Sequence, residues 1–321
     1  MDLAISHQQI DVNGISLSLY TAGPEQGRPV WLLHGFPECW HSWRSQIRAL
    51  AQAGYRVFVP EMRGYGATSA PEPVEAYDVL TLAGDVRAAM EHFGQERAAV
   101  VGHDWGANVA WYLALSAPER VEVLATMSVP FAGRPRRPAI QIMRELAAGR
   151  FNYILYFQEP GRAEQELDAN IDRTLKMLMY GAKKNLLQQD KPADSRLFDD
   201  DMQPGPLPDW CREEDLAIYR KTFEGRGFRG ALNWYRNFER NWEVTAPLQG
   251  RKVEQPTLFL IGDKDPVKWL EQYTMQKMPD WVPDLEQHEL SPCGHWIQNE
   301  KADEVNALLL DFFARKYPAL G

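Results

Sequence analysis

Cysteine is scarce in this sequence: of 321 residues only Cys39, Cys211 and Cys293 are cysteines, far apart and odd in number. No disulfide framework or metal-ligand spacing can be built from them, so free thiols in a reducing, cytoplasmic setting are expected. An excess of positive charge is missing too, with 35 Lys and Arg against 44 Asp and Glu and a net charge of −9. Nucleic-acid binding rests on clustered basic residues, so no such partner is expected, and the run Arg134-Pro135-Arg136-Arg137 reads as a solvated stretch. No apolar run approaches the ~20 residues that span a bilayer, and MDLAISHQQI lacks the basic and apolar regions of a signal peptide. A membrane span is therefore not expected. Internal repeats, phosphate-cradling loops and metal clusters are likewise absent from the sequence, so neither a cofactor nor a metal is expected.

What is present is a hydrophobic content of 45%, enough for a substantial core. Residues 9–20 alternate around Asn13-Gly14, a pair suited to a type I′ turn, and predict an opening hairpin. VWLLHG (30–35), YRVFVP (55–60) and AAVVGHD (98–104) are apolar strands separated by patterns compatible with helices. That alternation predicts a mostly parallel sheet covered on both faces. A helix after Trp105 stops near Pro118, and VEVLATMSVP (121–130) returns as a strand. The alternation then ceases. Helical patterns near 138–149, 163–181, 212–224 and 229–242 surround a polar, Pro- and Asp-rich stretch at 191–210. Strands resume at 256–263 and 284–290, and a helix carrying Val305, Leu308, Leu309, Phe312 and Phe313 ends the chain. The expected organisation is an α/β core of residues 1–130 and 247–321, interrupted by a helical cap over 131–246.

The sharpest local signal is Gly102-His103-Asp104-Trp105-Gly106, where an apolar strand gives way to a helix. It reads as a nucleophile elbow with Asp in the central position, the flanking glycines permitting the tight turn. Asp104 could equally cap the following helix, a common role for Asp at that position. Asp265 after strand 256–263 and His295 after strand 284–290 complete the nucleophile, acid, histidine order of the α/β-hydrolase fold. Singly, Asp265 could be a turn residue and His295 an interfacial histidine. His34-Gly35-Phe36-Pro37 follows the first apolar strand, and the backbone N–H groups of Phe36 and Trp105 are the expected oxyanion hole. Read alone, that loop could be a simple turn.

An aspartate side chain has a pKa of about 3.9 in water, so such a nucleophile needs no base to attack a saturated carbon. The product is an alkyl ester, and its hydrolysis needs a water deprotonated by a histidine that an acid orients, the roles expected of His295 and Asp265. The leaving group decides the reaction. An epoxide oxygen departs as an alkoxide nearly as basic as hydroxide, whose parent water has a pKa of about 15.7, whereas a tyrosine hydroxyl lies near 10. Full use of that ~6-unit gap would be worth on the order of 8 kcal/mol, of which a transition state expresses only a fraction. A halide needs no proton.

FNYILYFQEPG (151–161) and GFRGALNWYRN (227–237), with HGFPE (34–38), GHDWG (102–106), GDKD (262–265) and CGHW (293–296), resemble the soluble epoxide hydrolases of the α/β-hydrolase superfamily over nearly the whole chain. The resemblance implies that Tyr153 and Tyr235 are the family's ring-opening tyrosines. It also implies Asp104 as nucleophile, Asp265 as acid and His295 as base. Without it, both tyrosines would read as core aromatics. The N-terminal phosphatase domain of some vertebrate relatives has no counterpart here, so phosphatase activity is not expected.

Phe36, Trp105, Val129, Phe131, Tyr156 and Trp296 adjoin these motifs and are expected to line an apolar channel for a small lipophilic epoxide. Phe36-Pro37 is expected to be a cis peptide. A haloalkane or haloacid dehalogenase shares the Asp elbow but needs halide donors where the tyrosines stand. A non-catalytic binding protein of the same fold would have no need of all five chemical positions. Monomer and homodimer are both compatible with the sequence.

Overall fold

The computed structural model describes residues 3–180, 190–199 and 201–320. Strands β1 (Ile5–Val12) and β2 (Ile15–Ala22) form the expected hairpin, with Asn13 and Gly14 at φ 46° and 75°. They are followed by β3 (Pro29–Leu33), β4 (Arg56–Pro60), β5 (Ala98–His103), β6 (Val121–Met127), β7 (Thr257–Gly262) and β8 (Leu285–Leu290). All eight join one sheet in the order β1-β2-β4-β3-β5-β6-β7-β8, antiparallel at β1-β2 and β2-β4 and parallel elsewhere. Every residue of β5 and β7 is buried, as expected of strands covered on both faces.

The pleat sends alternate residues to opposite sides. Trp31, Leu33 and Val100 join one buried cluster, whereas Val30, Leu32, Ala99 and Val101 join another. Helices α1 (Arg44–Gln52), α2 (Val79–His92) and α3 (Trp105–Ser116) connect the first strands. Between β6 and β7 lie α4 (Ala139–Ala147), α5 (Tyr153–Phe157), α6 (Arg162–Leu167), α7 (Ile171–Tyr180), α8 (Glu213–Phe223), α9 (Arg229–Arg236) and α10 (Phe238–Val244). After β7 come α11 (Pro266–Leu270) and α12 (Gln272–Trp281), and after β8 come α13 (Ile297–Glu300) and α14 (Ala302–Lys316). Val305, Leu309, Phe312 and Phe313 of α14 are buried at helical spacing, while Leu308 is only partly covered. All three cysteines are buried and unpaired. Among the described residues no helix is long and apolar enough to cross a membrane.

Several boundaries differ from the sequence pattern. The continuous helix expected over 229–242 breaks at Asn237, whose side-chain amide donates to the Asn233 carbonyl (2.8 Å) and to Val74 O (2.6 Å). A side chain that serves the backbone in this way competes with the helix ladder. The helix expected over 163–181 is split by a tight turn at Asp168–Asn170. There Asp168 accepts from the Phe228 N–H (2.8 Å) and Asn170 from the Arg173 N–H (2.9 Å). Its final expected residue, Gly181, lies outside the described residues. The strand expected to reach residue 130 ends at Met127, because Ser128 turns into the left-handed region at φ 70°.

The parallel register aligns the strand ends that matter. Leu33 pairs with Gly102, His103 with Met127, Met127 with Leu260, and Gly262 with Leu290. The chain leaving each of these strands therefore emerges on one edge of the sheet, where this class of fold places its chemistry.

Candidate active site

Asp104 sits between β5 and α3 at φ 52° and ψ −121°, a conformation costly for a residue with a side chain. The turn closes only with small flanks. A Cβ added to Gly102 would run into the Gly106 carbonyl, and one added to Gly106 into the Leu33 carbonyl. Helix capping is not what Asp104 does, since its carboxylate makes no cap hydrogen bond to α3. Instead Oδ1 accepts from the Phe36 backbone N–H at 2.8 Å. Trp105 opens α3, so its N–H belongs to the donors that a helix start leaves without an intrahelical partner. The Phe36-Pro37 peptide is cis.

Asp265 is fully buried and caps α11, Oδ1 accepting from the Val267 N–H at 2.9 Å. Both of its oxygens lie 3.0 Å from His295 Nδ1, while His295 Nε2 lies 3.6 Å from Asp104 Oδ2. That last distance exceeds a hydrogen bond. Burial alone would disfavour the imidazolium, but Asp265 and then Asp104 hold the His295 pKa well above the usual imidazole range. Burial would likewise raise Asp265, yet the neighbouring His295 keeps its carboxyl below the ordinary value.

Tyr153 opens α5, whose start is capped by Asn152 Oδ1 accepting from the Ile154 and Leu155 N–H groups. Tyr235 lies on α9. The two rings face each other at 6.1 Å and 74°, and Tyr235 also meets Phe36 at 5.3 Å and Trp105 at 5.1 Å. Burial first, and then the Asp104 carboxylate, push both phenols above their ordinary pKa. Both stay protonated and able to donate.

The structure thus brings Asp104, Asp265, His295, Tyr153, Tyr235, Phe36 and Trp105 together. Trp296 packs edge-on against the His295 ring at 4.8 Å. The carbonyl of Val129, a partly exposed residue, accepts from Trp111 Nε1 at 3.0 Å. Phe131 and Tyr156, also expected to line a channel, make contacts of their own. The Phe131 ring packs against Trp111, Tyr112 and Trp281. Tyr156 directs its hydroxyl to Glu166 Oε2 (2.5 Å).

A buried network passed over in the sequence ties the site together. Glu38 Oε2 accepts from the Gly35 N–H and lies 2.8 Å from His103 Nδ1, and Gln298 Nε2 donates to Glu38 Oε1 at 2.7 Å. His103 Nε2 donates to the His295 carbonyl at 2.8 Å, which Ser128 Oγ also reaches at 3.2 Å. One carboxylate therefore anchors the loop at Gly35, His103 next to Asp104 and, through His103, the backbone of His295. The signal was available: Glu38 ends HGFPE and His103 lies inside GHDWG. Among the described residues no group of three or more His, Cys, Asp or Glu side chains could hold a metal ion.

The alpha/beta hydrolase fold family matches residues 28–302. Over 317 residues the chain is 42% identical to epoxide hydrolase A of Mycobacterium tuberculosis, covering 96% of this chain and 97% of that protein. It is 39% identical to the bifunctional epoxide hydrolase 2 of Sus scrofa, covering 96% of this chain but 55% of that protein. The solved structure of an epoxide hydrolase from an endophytic Streptomyces superposes with a TM-score of 0.91 at 37% identity, covering 97% of this chain and 95% of that one. With this fold and near-complete coverage at such identity, the chain belongs to the epoxide hydrolases of the alpha/beta hydrolase fold family.

Proposed function

We propose that the chain converts small lipophilic epoxides and water to vicinal diols through an ester on Asp104. The supporting observation is the meeting of two protonated phenols, 6.1 Å apart, in the field of a carboxylate that already accepts from a loop N–H. Oδ1 is engaged by the Phe36 N–H, which leaves Oδ2 to attack the epoxide carbon. The C–O bond of the ring breaks as the new ester bond forms, and Tyr153 and Tyr235 donate to the departing oxygen.

Water then attacks the ester carbonyl carbon. His295 takes its proton, Asp265 holds the imidazolium, and the charge that develops on Oδ1 is met by the N–H groups of Phe36 and Trp105. Collapse expels the diol oxygen, which takes the proton left on the new carboxyl, so Asp104 returns as a carboxylate and the diol is freed. The proton that the phenols passed to the opened epoxide oxygen is made good from His295, which regains one from the attacking water. The aromatic enclosure formed by Phe36, Trp105, Phe157 and Trp296 suits an apolar substrate.

The test is to supply styrene oxide and, separately, a chloroalkane, and to assay diol and chloride. Diol without chloride is expected. His295→Gln should alkylate but not turn over, so intact mass should rise by one epoxide at Asp104; no adduct under single-turnover conditions refutes the two-step scheme.

A further inference from the structure

Two phenols can share one departing oxygen only if their hydroxyls converge, yet Tyr153 and Tyr235 belong to different helices about 80 residues apart in sequence. Their relative position must be fixed by something other than their own helices. Gln158, the residue that closes α5, donates its side-chain amide to Ile154 O at 2.8 Å and to the carbonyl of Tyr235 itself at 3.0 Å. The next residue on α9 reaches back the other way. Arg236 Nε donates to Phe157 O at 3.0 Å and Nη2 to Glu159 O at 3.3 Å. Its guanidinium is locked by a two-pronged ion pair with Glu164 at 2.7 and 2.8 Å, with Arg236 3% and Glu164 15% exposed. A planar fork held on two oxygens has one orientation, unlike a lysine in the same place. Glu164 is in turn fixed by the Gly161 N–H at 2.9 Å.

We infer that Gln158, backed by the Arg236–Glu164 pair, is a positioning residue that sets the convergence of the Tyr153 and Tyr235 hydroxyls for ring opening. The inference rests on the reading of those tyrosines as proton donors. Gln158 touches no reacting atom; it acts through the backbone of Tyr235 and the end of the helix that Tyr153 begins. It therefore matters to the step that uses the tyrosines and not to the step that uses His295.

The test is single-turnover rapid quench with styrene oxide, timing ester formation and ester hydrolysis separately. Gln158→Met keeps the length of the side chain and removes the donor. Ester formation should slow by about tenfold or more, since displacements below an ångström carry such factors, while ester hydrolysis stays within about twofold. Arg236→Lys keeps the charge beside Glu164 but loses the fork, and carries the same expectation should Gln158→Met fail to fold. In a Tyr153→Phe, Tyr235→Phe background the Gln158→Met change should no longer matter. Equal slowing of both steps, unchanged ester formation, or an undiminished effect in the double-Phe background would each overturn the inference. If the double-Phe protein itself forms ester at the normal rate, the tyrosine reading fails instead, and the two failures are told apart.

Discussion

Neutralising Asp104 should lower the pKa of His295, and the size of that drop can be worked from the site. His295 Nε2 and Asp104 Oδ2 are 3.6 Å apart, with both side chains largely covered. At an effective dielectric constant of ~20, unit charges at that separation interact by about 4–5 kcal/mol. Water at the partly exposed edge of the pair screens some of this, and a clear fall of the His295 pKa is expected on Asp104→Asn. The sign follows from charge: a carboxylate favours the imidazolium, and removing it favours the neutral ring. The assay is an NMR titration of the His295 imidazole in both proteins, assigned with His295→Gln, with intact mass used to verify that the amide has not reverted. A His295 pKa unchanged within about 0.3 unit would refute the reasoning. Esterification of Asp104 during turnover removes the same charge. In the resting enzyme two carboxylates hold the proton on His295; once the ester forms only Asp265 does, and the ring is freed to act as a base. The proton it gives up balances the one gained by the opened epoxide oxygen.

Glu38 is buried, which on its own would raise its pKa, yet His103 beside it and the Gly35 N–H bring it down to about 2 from an ordinary 4.5. A depressed folded pKa contributes stability that is full above the unfolded value and lost as pH falls from about 4.5 toward 2, worth on the order of 3 kcal/mol here. Glu38→Gln should therefore flatten the acid side of a plot of Tm against pH, and an unchanged acid slope would count against the buried charge. Gly35→Ala would place a methyl group on the Asp104 carboxylate. It should cut turnover by about a hundredfold or more while the protein still unfolds cooperatively, and near-normal kcat would show that the loop yields more easily than its packing suggests.

The chemistry could be read in the sequence where a backbone constraint and a reactive side chain fall within a few residues of each other. Asp104 between Gly102 and Gly106 is of this kind, and the Asn13-Gly14 turn shows the same legibility for the backbone alone. Asp265 and His295 could be read because strand ends recur in a fixed order along the chain. Tyr153 and Tyr235 came from motif resemblance, since a phenol on a helix carries no local mark that separates a donor from packing. Adjacency in sequence says less about Tyr156 and Phe131. The Tyr156 hydroxyl meets Glu166 and the Phe131 ring packs on Trp111, partners that sequence spacing does not reveal. The Glu38–His103–Gln298 network joins positions 38, 103 and 298, and only the folded chain shows which carboxylate meets which imidazole. The helix breaks at Asn237 and Asp168 arise from tertiary hydrogen bonds that periodicity does not contain.

Strands β6 and β7 are neighbours in the sheet, yet the whole run of helices from α4 to α10 lies between them in the chain. The elbow and its loop are therefore translated before the cap phenols, the acid and the base. Pairing across so long an intervening segment is slow relative to local contacts. During that interval the chain carries Asp104 without the cap phenols, the acid and the base that the proposed reaction needs. Docking of β7 and β8 is thus the event that completes the site, so its activity reports the folding of the whole chain and not of its first half.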